Sequence, residues 1–322
     1  MEQETSNRRP LTGHRHRKLI HQLNQRYRQE FDRAERLQAE LNAVQGSRAW
    51  HVLSWLRQLK QRLWPDRNAG SSHAEPHFCT PVYRPRTVPD CKVSLVIPFR
   101  DQPRLLKGCL ASLQRGTFRR LEVILVDNGS QEHKTFRLLQ KLAGRRGWHI
   151  FRVAAPFNFA RLCNTGARHA TGEFLLFLNN DTEVLSADWV EQMLAVAQRD
   201  EVGVVGATLY YPDRTIQHAG LAPINGHWVH VYRGRPYNDP GDRGELRKVR
   251  AVPAVTGACL MIRRSLYSHL GGFDERLPVV GNDVDLCCRV REMGLLVAVT
   301  PFARLIHFEC LSRGYSTESY CA

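Results

Sequence analysis

The strongest constraint on the fold is an alternation of short apolar segments with helical patterns that begins after Lys92. Four segments are rich in apolar and β-branched residues and are typical of buried strands: VSLVIPF (93–99), LEVILVDNGS (121–130), WHIFRVAA (148–155) and EFLLFLNND (173–181). Segments with helical periodicity lie between them, at residues 103–114, 134–143 and 160–170. This alternation predicts an α/β domain with a mostly parallel central sheet and helices on both faces.

The first 90 residues differ from the rest in composition and in the spacing of apolar residues. We expect a disordered basic tail (1–18), a helical segment (19–64) and a linker rich in Pro, Gly and Ser (65–90), before the α/β domain (91–322). A heptad-like apolar series over residues 20–44 fits a coiled coil that would allow self-association, or equally a helix docked on the main domain. Residues 47–64 combine tryptophan, leucine and cations at helical spacing, which suits an anionic membrane surface or, again, a helix covering the main domain.

The overall charge points to an anionic partner. The 322 residues include 46 Lys and Arg against 31 Asp and Glu, a formal net charge of +15. The basic residues are spread along the chain without a nucleic-acid-binding motif, so no nucleic acid is expected. A polar, basic start and nine cysteines without a CxxC pair predict a cytoplasmic protein. With the amphipathic helix as anchor, it would lie on the inner face of the plasma membrane.

Polar residues follow three of the predicted strands at the point where each strand ends. The first strand leads to Pro98 and Asp101, the second to Asp127 and Asn128, and the fourth to residues 179–181. Ligands bind beyond the carboxyl ends of the strands in open parallel sheets. The chain has neither GxxxxGK[ST] nor GxGxxG, so a phosphorylated ligand would need cations, including a metal held by carboxylates. Taken alone, each strand end is also an ordinary turn sequence.

The second half of the chain places carboxylates at the start of a predicted amphipathic helix. In GNDVDLCCRVREMG (281–294), Asp283 and Asp285 fall in the first turn, where the helix dipole also favours negative charge. Further along, ARLIHFECLSRG (303–314) places His307 at the end of an apolar run. Considered singly, helix capping accounts for these carboxylates, and a lone histidine in this position is more often a buried core residue than a ligand.

The order of the motifs carries more information than any one of them. VSLVIPFRD, VDNGS, LNNDTE, TGACLMIRR, GGFDE, NDVDLCCRVREMG and an H-x-E-x-x-S-R-G stretch resemble, in this order, the family 2 glycosyltransferases with the GT-A fold. More narrowly, they resemble bacterial enzymes that build polysaccharide or O-antigen chains. The resemblance covers residues 93 to about 314. It implies an inverting hexosyl or rhamnosyl transferase that moves a sugar from a UDP- or dTDP-sugar to a hydroxyl of a growing cell-surface glycan or lipid-linked acceptor.

The resemblance also implies roles for individual residues. Asn179–Asn180–Asp181 occupies the position of a D-x-D-like motif, so that Asp181, with His307, would bind Mg²⁺ or Mn²⁺, and Arg313 would contact the diphosphate. Asp283 would be the general base, in an Asn-Asp pair where Glu-Asp is commoner. The nucleotide would be bound by Pro98, Asp101, Asp127, Asn128, Asn158, Arg161, Asn164 and Asn180. The acceptor or sugar would be bordered by Thr256, Gly257, Ala258, Gly272, Phe273, Asp274, Asn282 and Asp285.

Two other functions are compatible with parts of the pattern. The single carboxylate in NND, and an end at Ala322 that is earlier than in such enzymes, would suit a catalytically impaired, membrane-associated scaffold of the same fold. A sugar-1-phosphate nucleotidyltransferase is less favoured, because VIPFRDQPR lacks the glycine- and lysine-rich first loop that this chemistry needs.

Overall fold

The computed structural model describes residues 91–308 and confirms the predicted α/β architecture in them. The helices are α1 (Pro103–Leu113), α2 (His133–Leu142), α3 (Phe159–His169), α4 (Trp189–Ala197), α5 (Arg264–His269) and α6 (Asn282–Glu292), with one 3₁₀ turn (Glu245–Arg247). The strands are β1 (Val93–Phe99), β2 (Leu121–Asp127), β3 (Trp148–Arg152), β4 (Phe174–Leu178), β5 (Thr182–Val184), β6 (Val202–Tyr210), β7 (Ile216–His218), β8 (Leu221–Ile224), β9 (His227–His230), β10 (Arg250–Ala251), β11 (Cys259–Arg263) and β12 (Leu296–His307).

Ten of these strands form one sheet, and β8 and β9 form a separate hairpin. The main path of the sheet runs β10-β12-β6-β11-β4-β1-β2-β3, with β5 paired to β12 and β7 paired to β6. Strands β3, β2, β1 and β4 are parallel neighbours, and β6 and β12 form a further parallel pair. Strand β11 lies antiparallel between β4 and β6, so the sheet is mixed although most of its strands share one direction.

Helices cover both faces of the sheet because its strands are apolar on both sides. In β1, Leu95 and Ile97 pack on the face covered by α1, α2 and α4, whereas Val96 packs on the face covered by α3, α5 and α6. Burial of each such side chain contributes about 1.5–3 kcal/mol. Helix α3 lies closest to the sheet at Gly166, where an added Cβ would stand 2.3 Å from Val96 Cγ1.

The connections create a crevice at the carboxyl edge of β1 and β4. From β1 the chain proceeds outward through β2 to β3, and then returns to β4 on the other side of β1. The pairing of β1 with β4 ends at Val96 and Phe177, although β1 continues beside β2 as far as Phe99. Pro98, which has no N–H to donate, lies in this last stretch. Such a switch point is where ligands bind in open α/β sheets.

Several sequence predictions concern other parts of the chain. The basic tail (1–18), the helical segment (19–64) with its 20–44 series, the linker (65–90) and Arg313 lie outside the described residues. Within residues 91–308, no helix combines the length and the apolar character that crossing a membrane requires.

Candidate functional site

Backbone and side-chain hydrogen bonds join the ends of β1 and β2. The Asp101 amide donates to Ser130 Oγ, and the Ser130 amide donates to Asp127 Oδ1, both at 2.8 Å. Asp101 Oδ1 in turn accepts from the amides of Gln131 and Glu132 at 2.8 Å. The first two predicted nucleotide-binding carboxylates therefore lie at one edge, and Asp101 also shapes the turn that holds them together.

The Asp127 carboxylate is buried and lies beside a cation. Arg152 Nη1 approaches Asp127 Oδ2 at 3.5 Å, and Arg152 Nη2 donates to the Ser130 carbonyl at 2.9 Å. The neighbouring Asn128 donates both amide hydrogens, to the carbonyls of Val153 and Ala155, while its buried Oδ1 accepts no hydrogen bond from the described residues. This oxygen and the carboxylate can thus accept hydrogen bonds from a ligand with N–H donors, such as a nucleotide base.

Asp181 and His307 meet at the opposite side of the crevice. Asp181 follows β4, His307 ends β12, and Asp181 Oδ1 lies 3.2 Å from His307 Nε2. His307 Nδ1 lies 2.8 Å from Gln217 Oε1, an acceptor, so the neutral ring carries its hydrogen on Nδ1. The Nε2 lone pair then faces the carboxylate and the amide of Asn179, which lies 3.3 Å away.

This contact is suited to a cation. A lone pair and a carboxylate oxygen repel each other at 3.2 Å unless a proton or a metal ion lies between them. Metal-binding histidines commonly donate their other ring hydrogen to an oxygen acceptor, as His307 does to Gln217. Residues 91–308 contain no cluster of three or more His, Cys, Asp or Glu with the geometry of a metal site. A divalent ion here would need ligands in addition to the described side chains, which a substrate and water could supply.

Asp283 is the best-defined carboxylate of the site. It lies in the first turn of α6, and its two oxygens accept from the amides of Gly257 and Val284, both at 2.8 Å. Asp283 is partly exposed as a residue, but desolvation by the surrounding protein raises the pKa of its carboxyl above the ordinary value. The Gly257 and Val284 amides and the Thr256 hydroxyl oppose this rise without cancelling it. A raised pKa is closer to the pKa that a useful general base has near neutral pH.

The predicted residues on α3 contact a different loop from the nucleotide-binding edge. Asn158 caps α3 through the Arg161 amide and donates to the Glu275 carbonyl at 2.8 Å. Arg161 pairs with the Glu275 carboxylate at 3.1 Å. Asn164 donates to the Phe273 carbonyl and to Glu275 Oε1, and its Oδ1 accepts from Phe273 N. These side chains fix the GGFDE loop, and their direct contact with a nucleotide stays a prediction.

The other predicted acceptor residues also have structural partners. Asp285 pairs with Arg289 at 2.6 Å, and Arg289 donates to the carbonyls of Leu270 and Gly272. Asp274 is paired with Arg276, whose hydrogen bonds lower the pKa of the Asp274 carboxyl to about 2. Asn282 is buried and donates to Leu277, and Asn180 is buried with its amide nitrogen unbonded within residues 91–308. Asn180 Nδ2 is therefore a donor that can serve a ligand.

Sequence analysis missed several residues that complete the site. Gln217 orients His307, Arg152 lies on Asp127, and Glu275 gathers the side chains of α3. His218 and His230, which lie 2.9 Å apart, were not singled out either. The segment IQHAG (216–220) pairs two polar residues inside an apolar strand, and this was the available signal.

Comparison with known proteins identifies the family of the chain. Residues 94–271, more than half of the chain, match the model of glycosyl transferase family 2, and the chain belongs to that family. This confirms the family that the order of sequence motifs predicted.

Two curated relatives are bacterial proteins of glycan assembly. The O-antigen biosynthesis protein RfbC of Myxococcus xanthus is 40% identical over 229 residues, which are 69% of this chain and 18% of that protein. The N-acetylglucosaminyl-diphospho-decaprenol L-rhamnosyltransferase of Mycobacterium tuberculosis (strain ATCC 25618 / H37Rv) is 27% identical over 244 residues, 67% of this chain and 76% of the relative. The chain thus spans less than a fifth of the first relative and about three quarters of the second.

Solved structures of glycosyltransferases share the fold. GalNAc-T7, crystallised with UDP, GalNAc and Mn²⁺, superposes with a TM-score of 0.56 at 20% identity, over 67% of this chain and 44% of that one. The mannosyltransferase PcManGT of Pyrobaculum calidifontis, in complex with GDP-Man and Mn²⁺, gives 0.54 at 19% identity, over 75% and 62%. The fold is GT-A, as predicted.

Proposed function

We propose that this chain is an inverting, metal-dependent glycosyltransferase. It would transfer a sugar, of the hexosyl or rhamnosyl type, from a nucleotide-diphosphate donor to a hydroxyl of a cell-surface glycan or lipid-linked acceptor. Membership of glycosyl transferase family 2 and the bacterial relatives support the reaction class. The particular residues and the inverting chemistry are argued from the geometry of the site.

The backbone turn at residues 256–258 supports the proposal most directly. The Ala258 carbonyl accepts from the Asn179 amide at 3.0 Å, and this joins the turn to the end of β4 that leads to Asp181. The Gly257 amide in the same turn donates to Asp283. Residues 256–258 therefore link a carboxylate suited to a metal–diphosphate to a second carboxylate suited to proton removal.

Asp283 would act as the general base. An acceptor hydroxyl attacks the anomeric carbon on the face opposite the nucleoside diphosphate, the bond to the departing oxygen breaks, and the configuration inverts. The hydroxyl proton passes to the Asp283 carboxylate during this step. Both oxygens already accept amide hydrogens, which fixes the carboxylate in place, and each keeps a lone pair for the acceptor.

Asp181 and His307 would hold Mg²⁺ or Mn²⁺ together with the donor. A divalent cation at this position would supply positive charge to the departing diphosphate. The chain contributes one carboxylate and one imidazole, and Gln217 keeps that imidazole in the tautomer whose lone pair faces the carboxylate. Asn180 Nδ2 offers a further donor to a phosphate or sugar oxygen. Since the described residues supply few ligands, we expect metal affinity to be weak until the donor adds its phosphate oxygens.

The nucleotide would lie at the edge formed by β1 and β2. Asp127 would accept the imide N–H of uracil or thymine, with Asn128, Pro98 and Asp101 lining the same pocket. Arg152 lies close enough to neutralise Asp127 in the empty site and to contact the ribose or phosphates when a nucleotide is bound.

The acceptor would be presented at a membrane surface. The chain carries a formal charge of +15, and residues 47–64 combine tryptophans with cations at helical spacing. Both features suit the anionic inner face of a bacterial plasma membrane, where a lipid-linked acceptor would lie. The protein would then be cytoplasmic and peripherally bound.

A nucleotide panel tests the proposal. Thermal melting would be followed with UDP, dTDP and GDP, each with Mn²⁺ and with EDTA, since a ligand that binds the native state raises its apparent stability. A metal-dependent rise with one nucleotide, followed by detection of sugar transfer from the matching nucleotide sugar, is the expected result. A catalytically impaired scaffold would show no metal-dependent rise, or would bind the donor and transfer nothing.

A further inference from the structure

Two histidines outside the proposed chemistry form a pair beside it. His218 ends β7 and His230 ends β9, and their Nδ1 atoms lie 2.9 Å apart. Burial and then the charges of His230, Arg250 and His307 hold the pKa of His218 well below its usual value. Burial, and then Arg233 and His307, lower the pKa of His230 to about 4. Both rings are therefore neutral at neutral pH.

The backbone fixes which nitrogens carry hydrogen. The Thr256 amide can only donate, and it lies 3.4 Å from His218 Nε2, which must therefore accept. A neutral His218 then carries its hydrogen on Nδ1 and donates it to His230 Nδ1. The neutral His230 must consequently carry its own hydrogen on Nε2. One amide thus sets the tautomers of two imidazoles in series.

The outer end of this series, His230 Nε2, has no hydrogen-bond acceptor among the described residues. No residue in the stretch 91–308 accepts a hydrogen bond from His230 Nε2, and the His230 side chain is partly exposed. The pair is linked to both parts of the proposed site. His218 contacts Thr256, next to the Gly257 amide that holds Asp283, and His307, which lies beside Asp181, is close enough to lower the pKa of both rings when it is protonated.

We propose that His230 Nε2–H binds a hydroxyl oxygen of a sugar in the active site. The role rests on the proposed glycosyltransferase function and adds a specificity-determining residue to it. Because the tautomer is fixed, Nε2–H can only donate a hydrogen bond. It therefore favours a sugar with an oxygen within reach of Nε2 over an epimer or deoxy sugar that lacks that oxygen. The hydroxyl can belong to the transferred sugar or to the acceptor, and these two sources give different results in the experiment.

Two substitutions at His230 separate ligand binding from a structural role. His230→Asn places a side-chain amide near the position of Nδ1, so it can keep the bond to His218 while losing the outer donor. His230→Gln places an amide N–H near the position of Nε2 and can keep the outer donor. His227→Asn is the matched control, because His227 is exposed on the same strand. All three would be compared with wild type in melting temperature, kcat and KM.

The expected result is a loss in His230→Asn that His230→Gln partly restores. Without the Nε2–H hydrogen-bond donor, kcat/KM should fall roughly five- to tenfold, the usual effect of one hydrogen bond to an uncharged group. Melting temperature should stay close to wild type, and His227→Asn should behave as wild type in every assay.

The source of the hydroxyl follows from which substrate is affected. Stabilisation by UDP-glucose, UDP-N-acetylglucosamine and dTDP-rhamnose would be compared with that by UDP and dTDP alone. If only the nucleotide sugar loses affinity in His230→Asn, the hydroxyl belongs to the donor. If donor binding is unchanged and the acceptor KM rises, it belongs to the acceptor.

Other results would overturn the inference. Normal kcat and KM in His230→Asn would mean that Nε2–H serves only water. A lower melting temperature and lower activity in His230→Gln, with neither lowered in His230→Asn, would mean that His230 only supports His218. A wild-type protein that binds no nucleotide with Mn²⁺ and transfers no sugar would refute the proposed function itself, and the role of His230 with it.

Discussion

Replacing Asp283 by asparagine tests the proposed chemistry with the smallest change in shape. The carboxylate accepts one amide hydrogen on each oxygen, from Gly257 and Val284. In Asp283→Asn one oxygen remains and the other position becomes an NH₂ donor. One of the two amides must then face a donor instead of an acceptor, so the substitution costs stability as well as removing a base.

The two costs have different sizes and affect different measurements. Leaving one buried N–H unsatisfied costs about 1–3 kcal/mol. A domain with about 5–15 kcal/mol of stability stays folded at 25 °C after such a loss. If Asp283 has only a structural role, Asp283→Asn would therefore be a mostly folded enzyme with nearly normal turnover. Loss of a general base instead lowers the rate by about 10²–10⁴ in the folded enzyme.

Turnover, donor affinity and melting temperature would be measured together on the same preparations. We expect Asp283→Asn to melt somewhat earlier, to bind the donor with Mn²⁺ almost as wild type does, and to lose turnover by about 10²–10⁴. Glu292→Gln, on the exposed end of the same helix, is the control for charge removal. The wild-type rate should rise with pH through the pKa of Asp283, which burial raises. A folded Asp283→Asn enzyme with turnover within about threefold of wild type would refute the assignment.

Four further predictions concern the metal, the nucleotide, pH and the membrane. Asp181→Ala should lose Mn²⁺-dependent donor binding and turnover together, and retention of both would contradict the metal role. Asp127→Ala should raise the donor KM about tenfold or more with kcat still measurable at saturation, and a collapse of kcat at intact affinity would contradict base recognition. The contribution of His230 to the unfolding free energy should fall by roughly 3 kcal/mol from pH 6.5 to 4, because burial and then Arg233 lower the pKa of His230 to about 4 and the unfolded chain takes up a proton first. Urea titrations of wild type and His230→Asn measure this contribution as a difference, and an equal pH dependence in the two proteins would contradict it. Deleting residues 1–65 should greatly reduce pelleting with anionic liposomes, as should high salt, and equal pelleting would remove the anchor.

Periodicity predicted the first half of the domain well because that half is built from local units. Each strand from β1 to β4 is rich in apolar residues and is separated from the next by a helix, so pattern and structure agree to within a few residues. The second half is different. β5, β7 and β10 are only two or three residues long and acquire their conformation from β12 and β6. Their own sequences carry too few residues to show a period.

The same distinction applies to the site. The positions of Asp127 and Asp181 could be predicted because Asp127 ends one apolar strand and Asp181 closely follows another, and that of Asp283 because it lies in the first turn of a recognisable helix. The contact of His307 with Gln217 joins residues 90 positions apart, and Arg152 reaches Asp127 from the neighbouring strand. Such pairings depend on strand order and register, which the sequence pattern does not specify.

In the proposed function, one carboxylate would serve where a pair would be expected. A second acidic residue in the NND motif would strengthen metal binding in the empty enzyme, but it would add charge to a buried position beside Asp181. In the proposed site a neutral His307 would take that place without adding charge, and Gln217 would keep its lone pair directed at Asp181. The missing negative charge would then come from the donor diphosphate, so metal and donor bind tightly only together. Coupling of this kind makes the charged site form when the substrate is present, while Asp283, held separately by the Gly257 amide, keeps its position throughout.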